Sequence, residues 1–239
     1  MSKFYHDRKR GEIRAVDGVS FCCQPGQIYG LLGVNGAGKT TCLRLLATII
    51  KPTAGTARVA GHDVVREPDR VRHKVGFLST STALYGRLTA REFVEYFGRL
   101  HGLDAALLDE RLETLFALLE MNAFRDRRCE KLSTGMKQKV SIARTVAHDP
   151  PLLIFDEPTV GLDVLNAMEM QEMIREFRTQ GKTILFSTHI MSEAEKLCDR
   201  IAIIHNGSIL ACGTLDALRE ATGQHYLEDI FVHYVRDGK

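Results

Sequence analysis

The stretch that decides the fold is Gln27–Ile50, QIYGLLGVNGAGKTTCLRLLATII. It opens as a short apolar run suited to a buried strand and passes through a loop carrying Gly33, Gly36 and Gly38. It resumes as a helix from about Lys39, with Leu43, Leu46, Ala47 and Ile50 at helical spacing. Within it Gly33–Thr41, GVNGAGKTT, fits G-x-x-x-x-G-K-[ST] in the strand–loop–helix setting that gives this pattern its meaning. The glycines let successive backbone N–H groups turn inward around phosphate oxygens, and the helix dipole adds to that positive field. Gly33, Asn35, Gly36, Ala37, Gly38, Lys39, Thr40 and Thr41 are therefore the candidate phosphate cradle. Lys39 is placed to reach the β- and γ-phosphates of a nucleotide, and the Thr40 hydroxyl to ligate Mg²⁺. A chance glycine-rich turn is the bland alternative; the Lys-Thr pair at the helix start argues against it.

Further along, Leu152–Glu157, LLIFDE, is an apolar run ending in two carboxylates. It reads as a buried parallel strand whose C-terminal end opens on a crevice. Asp156 is the candidate Mg²⁺ ligand, directly or through water, and Glu157 the group that orients and polarises an attacking water. Thr183–His189, TILFSTH, is a second strand ending on the same edge, which makes His189 a candidate γ-phosphate contact. Asp163, a few residues past the acidic pair, reads equally as a helix N-cap.

Other strands are expected in EIRAVDGVSFCC, TARVAG, KVGFLS and RIAIIHNGSILA, the last a hairpin turning at Asn206-Gly207. From about Ala83 to Asp149 the pattern is helical. Thr89 and Glu92 form a capping box ahead of Phe93, Phe97 and Leu100, and Leu108, Leu112, Leu115 and Leu119 mark the next helix. Glu130–Pro150, EKLSTGMKQKVSIARTVAHDP, opens on a Ser-Thr-Gly turn, with Met136, Val140, Ala143 and Ala147 on one helical face. Another helix is expected to start at Ser192, with Glu195 as its box partner. Strands alternating with helices imply a mostly parallel sheet covered on both faces.

The bulk numbers exclude several classes. The 239 residues allow one large domain, and 44% hydrophobic with 26% charged residues describes a globular chain. Net charge is only +2, and the basic cluster Lys131, Lys137, Lys139 and Arg144 reads as a solvated helix face, so no nucleic-acid partner is expected. The six cysteines form no C-x-x-C pair or Cys/His spacing, which argues against zinc. The polar, basic start MSKFYHDRKRGE has no apolar core of a signal peptide, and no apolar run approaches the ~20 residues a membrane span needs.

Taken together, Gly33–Thr41, LSTGMKQK (Leu132–Lys139), LLIFDEPTVGLD (Leu152–Asp163) and STH (Ser187–His189) stand in the order found in the ATP-binding cassette ATPases, and the resemblance covers nearly the whole chain. It implies an α/β P-loop NTPase (RecA-like) core, with a mostly parallel sheet and an antiparallel β portion, spanning 1–82 and 150–239. An inserted helical signature subdomain spans 83–149. It also implies an ATPase that uses ATP and Mg²⁺ and acts as a head-to-tail homodimer, each ATP lying between one P-loop and the other subunit's signature. By that resemblance Ser133 and Gly135 contact the partner's γ-phosphate, Glu157 is the catalytic carboxylate, Asp163 the interface-loop aspartate and His189 the switch histidine. Tyr5, with Phe4 as the alternative, is the aromatic that stacks on adenine.

Three departures stand out. The usual Leu-Ser-Gly-Gly-Gln is here Leu132-Ser133-Thr134-Gly135-Met136, the usual Gln after KVGFLS is Thr80, and the chain starts without the edge strand that normally precedes the adenine aromatic. FLSTSTALYGRLTAREFVEYFGRL with LSTGMKQK and the ending LEDIFVHYV resemble the sodium-extrusion (Nat-type) branch of the ABC-2 exporters. That implies a peripheral subunit on the cytoplasmic face of the membrane, driving an integral permease gripped near Leu84, Tyr85 and Leu88. A soluble cassette ATPase such as the iron–sulfur assembly type is the alternative of similar length.

Overall fold

Strands buried on both faces need covering layers on both sides, and the chain supplies them in alternation. The computed structural model describes residues 1–7, 11–79 and 83–236. Thr80, expected to stand for the usual Gln, lies outside these described residues. Strands β1 (Lys3–Asp7) and β2 (Gly11–Val16) form an antiparallel ribbon with Tyr5 opposite Ile13. Among the described residues β1 pairs with no strand but β2, so the chain's first strand carries the candidate aromatic itself.

The central sheet is built from β3 (Ile28–Leu32), β6 (Val75–Ser79), β7 (Leu152–Asp156), β8 (Thr183–Thr188), β9 (Arg200–His205) and β10 (Ser208–Gly213). Their spatial order is β10-β9-β3-β8-β7-β6; all neighbours run parallel except the β9–β10 hairpin. Alternation along these strands sorts the core into layers. Tyr29, Leu31, Ile154, Leu185, Ala202 and Ile204 face α1 (Lys39–Leu46). That layer also takes in Val71 of α2 (Pro68–Lys74) and Val59 of a short hairpin, β4 (Arg58–Val59) with β5 (His62–Asp63). Phe155 and Phe186 face the other way, onto α6 (Val164–Thr179) and the helices inserted between β6 and β7. Those inserted helices are α3 (Ala90–Leu100), α4 (Ala105–Leu118) and α5 (Thr134–Val146). A third cluster joins Leu32, Ile201 and Ile203 to α7 (Met191–Leu197), α8 (Leu215–Thr222) and α9 (Leu227–Arg236).

Several sequence expectations need correcting. The strand expected in EIRAVDGVSFCC, β2, ends at Val16; Gly18 at φ 64° follows, and Val19 and Phe21 continue as non-ladder chain packed on the core. Helix α1 stops at Leu46, with Ala47 as C-cap and Thr48 at φ 58°, so Ile50 lies beyond it. Leu100 closes α3 but is 62% exposed, off the face that buries Phe93. Helix α7 is capped at Ile190, which puts Ser192 inside the helix; Glu195 instead accepts a hydrogen bond from the Leu227 N–H. The basic cluster is a solvated face only in part: Lys131 and Lys137 are exposed, but the other two are engaged. Arg144 lies over the Phe97 ring and donates to the Phe77 carbonyl, and Lys139 pairs with Glu120 and Glu169.

Two expectations hold in detail. The capping box Thr89/Glu92 is closed in both directions at the start of α3, and the helix expected after the Ser-Thr-Gly turn is α5, which Ser133 caps by accepting the Met136 N–H. N-caps of this kind satisfy helix donors that have no partner in the first turn.

Candidate functional site

Parallel strands β3, β7 and β8 end side by side, and this sets every functional group that follows them. Directly after β3 the loop Gly33–Gly38 curls into α1. Gly38 at φ 109° is the N-cap, and a β-carbon there would lie 2.4 Å from the Ala15 carbonyl oxygen, so strand β2 closes tightly over the loop. The hairpin turn Asn206-Gly207 closes it from the other side: the Gly207 N–H donates to the Ala37 carbonyl at 2.9 Å, and its own carbonyl accepts from the Asp17 N–H at 2.8 Å. Together these segments wall a cleft of about 430 Å³. Asn35, Gly36, Gly38, Lys39, Thr40, Thr41 and Glu157 line it, as the sequence led us to expect, and Ile13, Arg14, Ala15, Asn206 and Gly207 line it as well.

Lys39 is 4% exposed and its ammonium group is fully engaged. It donates to the Gly33 carbonyl at 2.6 Å and the Val34 carbonyl at 3.1 Å, and lies 2.9 Å from Glu157 Oε1. Asp156, buried at the end of β7, accepts from Thr40 Oγ1 at 3.1 Å and Ser187 Oγ at 2.7 Å. Glu157 follows at φ 51°, a left-handed backbone in which a residue of this kind is strained. Its N–H is held by Ser187, at 3.1 Å from both the carbonyl and hydroxyl oxygens. Burial pushes the Glu157 carboxyl up, but Lys39 and then His189 outweigh it, leaving the group below the usual carboxylate range. His189 Nδ1 lies 3.2 Å from Glu157 Oε1 yet is not aligned for a hydrogen bond, so this buried ring nitrogen has no hydrogen-bond partner.

Other sequence candidates stand apart from this cleft. Gly33 and Ala37 do not line it; they serve through the backbone, the Gly33 N–H donating to the Thr188 carbonyl. Tyr5, 43% exposed, flanks the cleft through its cross-strand partner Ile13, and the Lys3 ammonium lies over its ring. Phe4 carries the Arg14 guanidinium over its ring.

Ser133, Gly135 and Asp163 also lie outside the P-loop cleft but are linked to one another. Asp163 is the N-cap of α6, accepting from the Asn166 N–H at 3.0 Å, and the Asn166 side chain packs where a Gly135 β-carbon would sit. One further bond ties this region to the loop that follows Glu157: Gln138 Nε2 donates to the Pro158 carbonyl at 3.0 Å.

Sequence reasoning missed the cleft's outer wall. Ile13 was legible as the apolar side of a strand opposite Tyr5, and Asn206-Gly207 as a turn. No local pattern says that a hairpin 170 residues downstream of the loop folds against it.

The family model for "ABC transporter" matches residues 16–160. The ABC transporter ATP-binding protein NatA of Bacillus subtilis is 41% identical over 97% of this chain and 94% of its own length. The Nod factor export ATP-binding protein I of Paraburkholderia xenovorans is 42% identical over 87% of this chain and 68% of its own. A solved dimeric ATP-binding cassette in a post-hydrolysis state, with ADP and phosphate bound, superposes with a TM-score of 0.80. It is 25% identical and covers 89% of this chain and 95% of that one. With the phosphate loop, the paired carboxylates and the terminal histidine gathered on one sheet edge, the chain belongs to the ABC transporter family as one of its ATP-hydrolysing subunits.

Proposed function

We propose that two copies of this chain close head to tail on two Mg-ATP and thereby drive a separate membrane-embedded permease that exports its cargo. The observation that carries this reading is the position of Ser133 and Gly135. They open α5 outside their own P-loop cleft, with Ser133 and Thr134 exposed at a helix N-terminus, the kind of end that favours an anion. Such an end suits the γ-phosphate of a second copy, and a structure of similar fold with ADP and phosphate bound is dimeric, which supports assembly of two copies.

In this reading residues 1–82 and 150–239 form the ATP-binding core and 83–149 the helical signature arm. Gly33, Asn35, Gly36, Ala37, Gly38, Lys39, Thr40 and Thr41 hold the phosphates, and Tyr5 stacks on adenine. A γ-phosphate entering the loop competes with Glu157 and two carbonyls for the Lys39 ammonium, which frees the carboxylate to hold an attacking water. His189, whose Nδ1 lies 3.2 Å from Glu157 Oε1 without an aligned hydrogen bond, is then available to a phosphate oxygen. Asp163 steadies the loop that faces the second copy.

The residues present fit Mg²⁺. Thr40 and Asp156 offer hard oxygen donors already held together at 3.1 Å, the donor type this ion prefers. Among the described residues no group of three or more His, Cys, Asp or Glu could hold a metal unaided, so phosphate and water would complete its shell. When bound, the ion would neutralise charge on the β- and γ-phosphates.

No described helix is long and apolar enough to cross a membrane, and the named relatives are the ATP-binding proteins of transport and export systems. That supports a peripheral subunit on the cytoplasmic face, attached through a permease, over the soluble iron–sulfur assembly type. Sodium is the cargo implied by the Nat-type resemblance. The test is Glu157→Gln in the full chain. With Mg-ATP it should elute and scatter light as a dimer, and with ADP as a monomer, while hydrolysis falls by about 10²-fold or more. A variant that stays monomeric with ATP, or a monomer with full ATPase activity, would overturn the composite site.

A further inference from the structure

Glu193 is a carboxyl buried to 5% exposure in the first turn of α7. Among the described residues no Lys, Arg or His lies within ion-pairing distance of it; its partner is the Thr188 hydroxyl, which donates to Glu193 Oε2 at 2.7 Å. Burying a carboxyl on a single hydroxyl is costly, so its retention calls for a reason. That same hydroxyl accepts the Ile190 N–H at 3.0 Å. Thr188 is itself 2% exposed and fixed twice more, paired with Leu32 across the β3–β8 ladder and accepting the Gly33 N–H through its carbonyl at 3.3 Å. The residues on both sides of His189 are therefore pinned, one to the start of the phosphate loop and both to one buried hydroxyl. Between them the imidazole is left facing Glu157.

We propose that Thr188 and Glu193 are positioning residues for hydrolysis, forming a bracket that holds the His189 ring in register with Glu157 and the γ-phosphate. The proposal rests on the reading of His189 given above. A local turn alone would explain the Ile190 contact, a hydroxyl accepting the N–H two residues on. Such a turn does not require that hydroxyl also to donate to a buried carboxyl. A misplacement of about 1 Å at a reacting group can cost on the order of 10²-fold in rate, so the bracket should show in kcat rather than in ATP binding.

The experiment measures steady-state ATP hydrolysis and Mg-ATP binding by the full chain. Thr188→Val removes the hydroxyl at nearly constant shape and should lower kcat by about tenfold or more, with KM for ATP within about threefold. Thr188→Ser should restore kcat to within about threefold, and so should Glu193→Gln, which keeps an acceptor; Glu193→Ala should match Thr188→Val. In the background of His189→Ala, Thr188→Val should cost almost nothing more, because it acts through that ring. Losses that multiply in the double variant, or a Thr188→Val enzyme within twofold of wild type, would overturn the bracket. If Thr188→Val does not fold, Glu193→Ala and its double variant with His189→Ala decide by the same criteria. A fully active His189→Ala would instead remove the reading of the histidine, a result distinct from an impaired His189→Ala beside an intact Thr188→Val.

Discussion

At the residue scale the site is a competition for a few buried charges. Lys39 Nζ is shared among two loop carbonyls and Glu157, and Glu157 is shared between Lys39 and His189. Around this knot the backbone does as much as the side chains, and Gly207 shows how. It adopts φ 78°, and a β-carbon there would lie 2.9 Å from the Arg14 carbonyl oxygen and 3.1 Å from that of Ala15. Its N–H and carbonyl meanwhile bind Ala37 and Asp17. Gly207→Ala should therefore push the hairpin off β2 and loosen the phosphate loop, lowering affinity for Mg-ATP by about tenfold. The left-handed backbone should add about 1 kcal/mol of lost stability. Titration calorimetry with ATP and urea denaturation would read the two effects; unchanged ATP affinity would show that the hairpin does not support the loop. Lys39, Thr40, Asp156 and Glu157 were legible because each lies in a motif whose local spacing fixes its chemistry. Gly207 was legible only as a turn, since its partners are 170 to 193 residues away in sequence.

At the scale of elements, what the sequence showed best was whatever depends on neighbours one turn away. The Thr89/Glu92 box is a local pair of hydrogen bonds and stands as read, and the helix expected after the Ser-Thr-Gly turn starts there. The Ser192/Glu195 box fails because tertiary contacts start α7 earlier and draw Glu195 to Leu227 and Arg219. Arg144 left the solvated face for a similar reason, an aromatic ring on α3 lying within its reach. The junction of those same helices holds a feature that no periodicity announces. His101, the C-cap of α3, and His148, just after α5, stack with ring centroids 3.6 Å apart. Burial, then the neighbouring His101, pushes the His148 imidazole down to about 3. A backbone contact to Val75 pulls the other way but is not aligned as a hydrogen bond, and both ring nitrogens lack partners. The folded chain thus keeps this ring neutral, while the unfolded chain takes up a proton below the ordinary value near 6.5. Stability from this group is complete above about pH 6.5 and declines as pH falls toward 3, by up to about 2 kcal/mol between pH 7 and pH 5. His148→Phe, which keeps the stack and removes the titration, should flatten that dependence in urea unfolding curves at the two pH values. An equally steep loss in the variant would assign the effect to other groups.

At the scale of the whole molecule, the proposed assembly needs two faces: one for a second copy and one for the permease. The first falls on the P-loop edge with Ser133, Gly135 and Asp163. For the second, the helical arm offers a ledge beyond β6. Leu84 and Leu88 pack against the arm's own core, so they hold the arm together as well as bordering its surface. Tyr85 is 54% exposed and Leu100 62%, and Tyr96 joins them, its ring centroid 6.1 Å from that of Tyr85. A shallow cleft of about 290 Å³ runs beside them past Leu88, Glu92, Glu95 and Arg99. Contiguous apolar and aromatic side chains left open on a surface and rimmed by charge mark a contact site. An aspartate at Leu84 would therefore confound lost binding with lost folding, whereas Tyr85 and Leu100 separate the two. Tyr85→Asp with Leu100→Asp should leave the thermal midpoint within about 3 °C, because neither side chain is buried. The pair should abolish co-purification with a co-expressed permease partner. Retained co-purification at unchanged stability would move the permease contact off this ledge. Lost folding would show that the aromatic group of Tyr85, Phe93 and Phe97 is core to the arm, and Leu100→Asp alone would then carry the test.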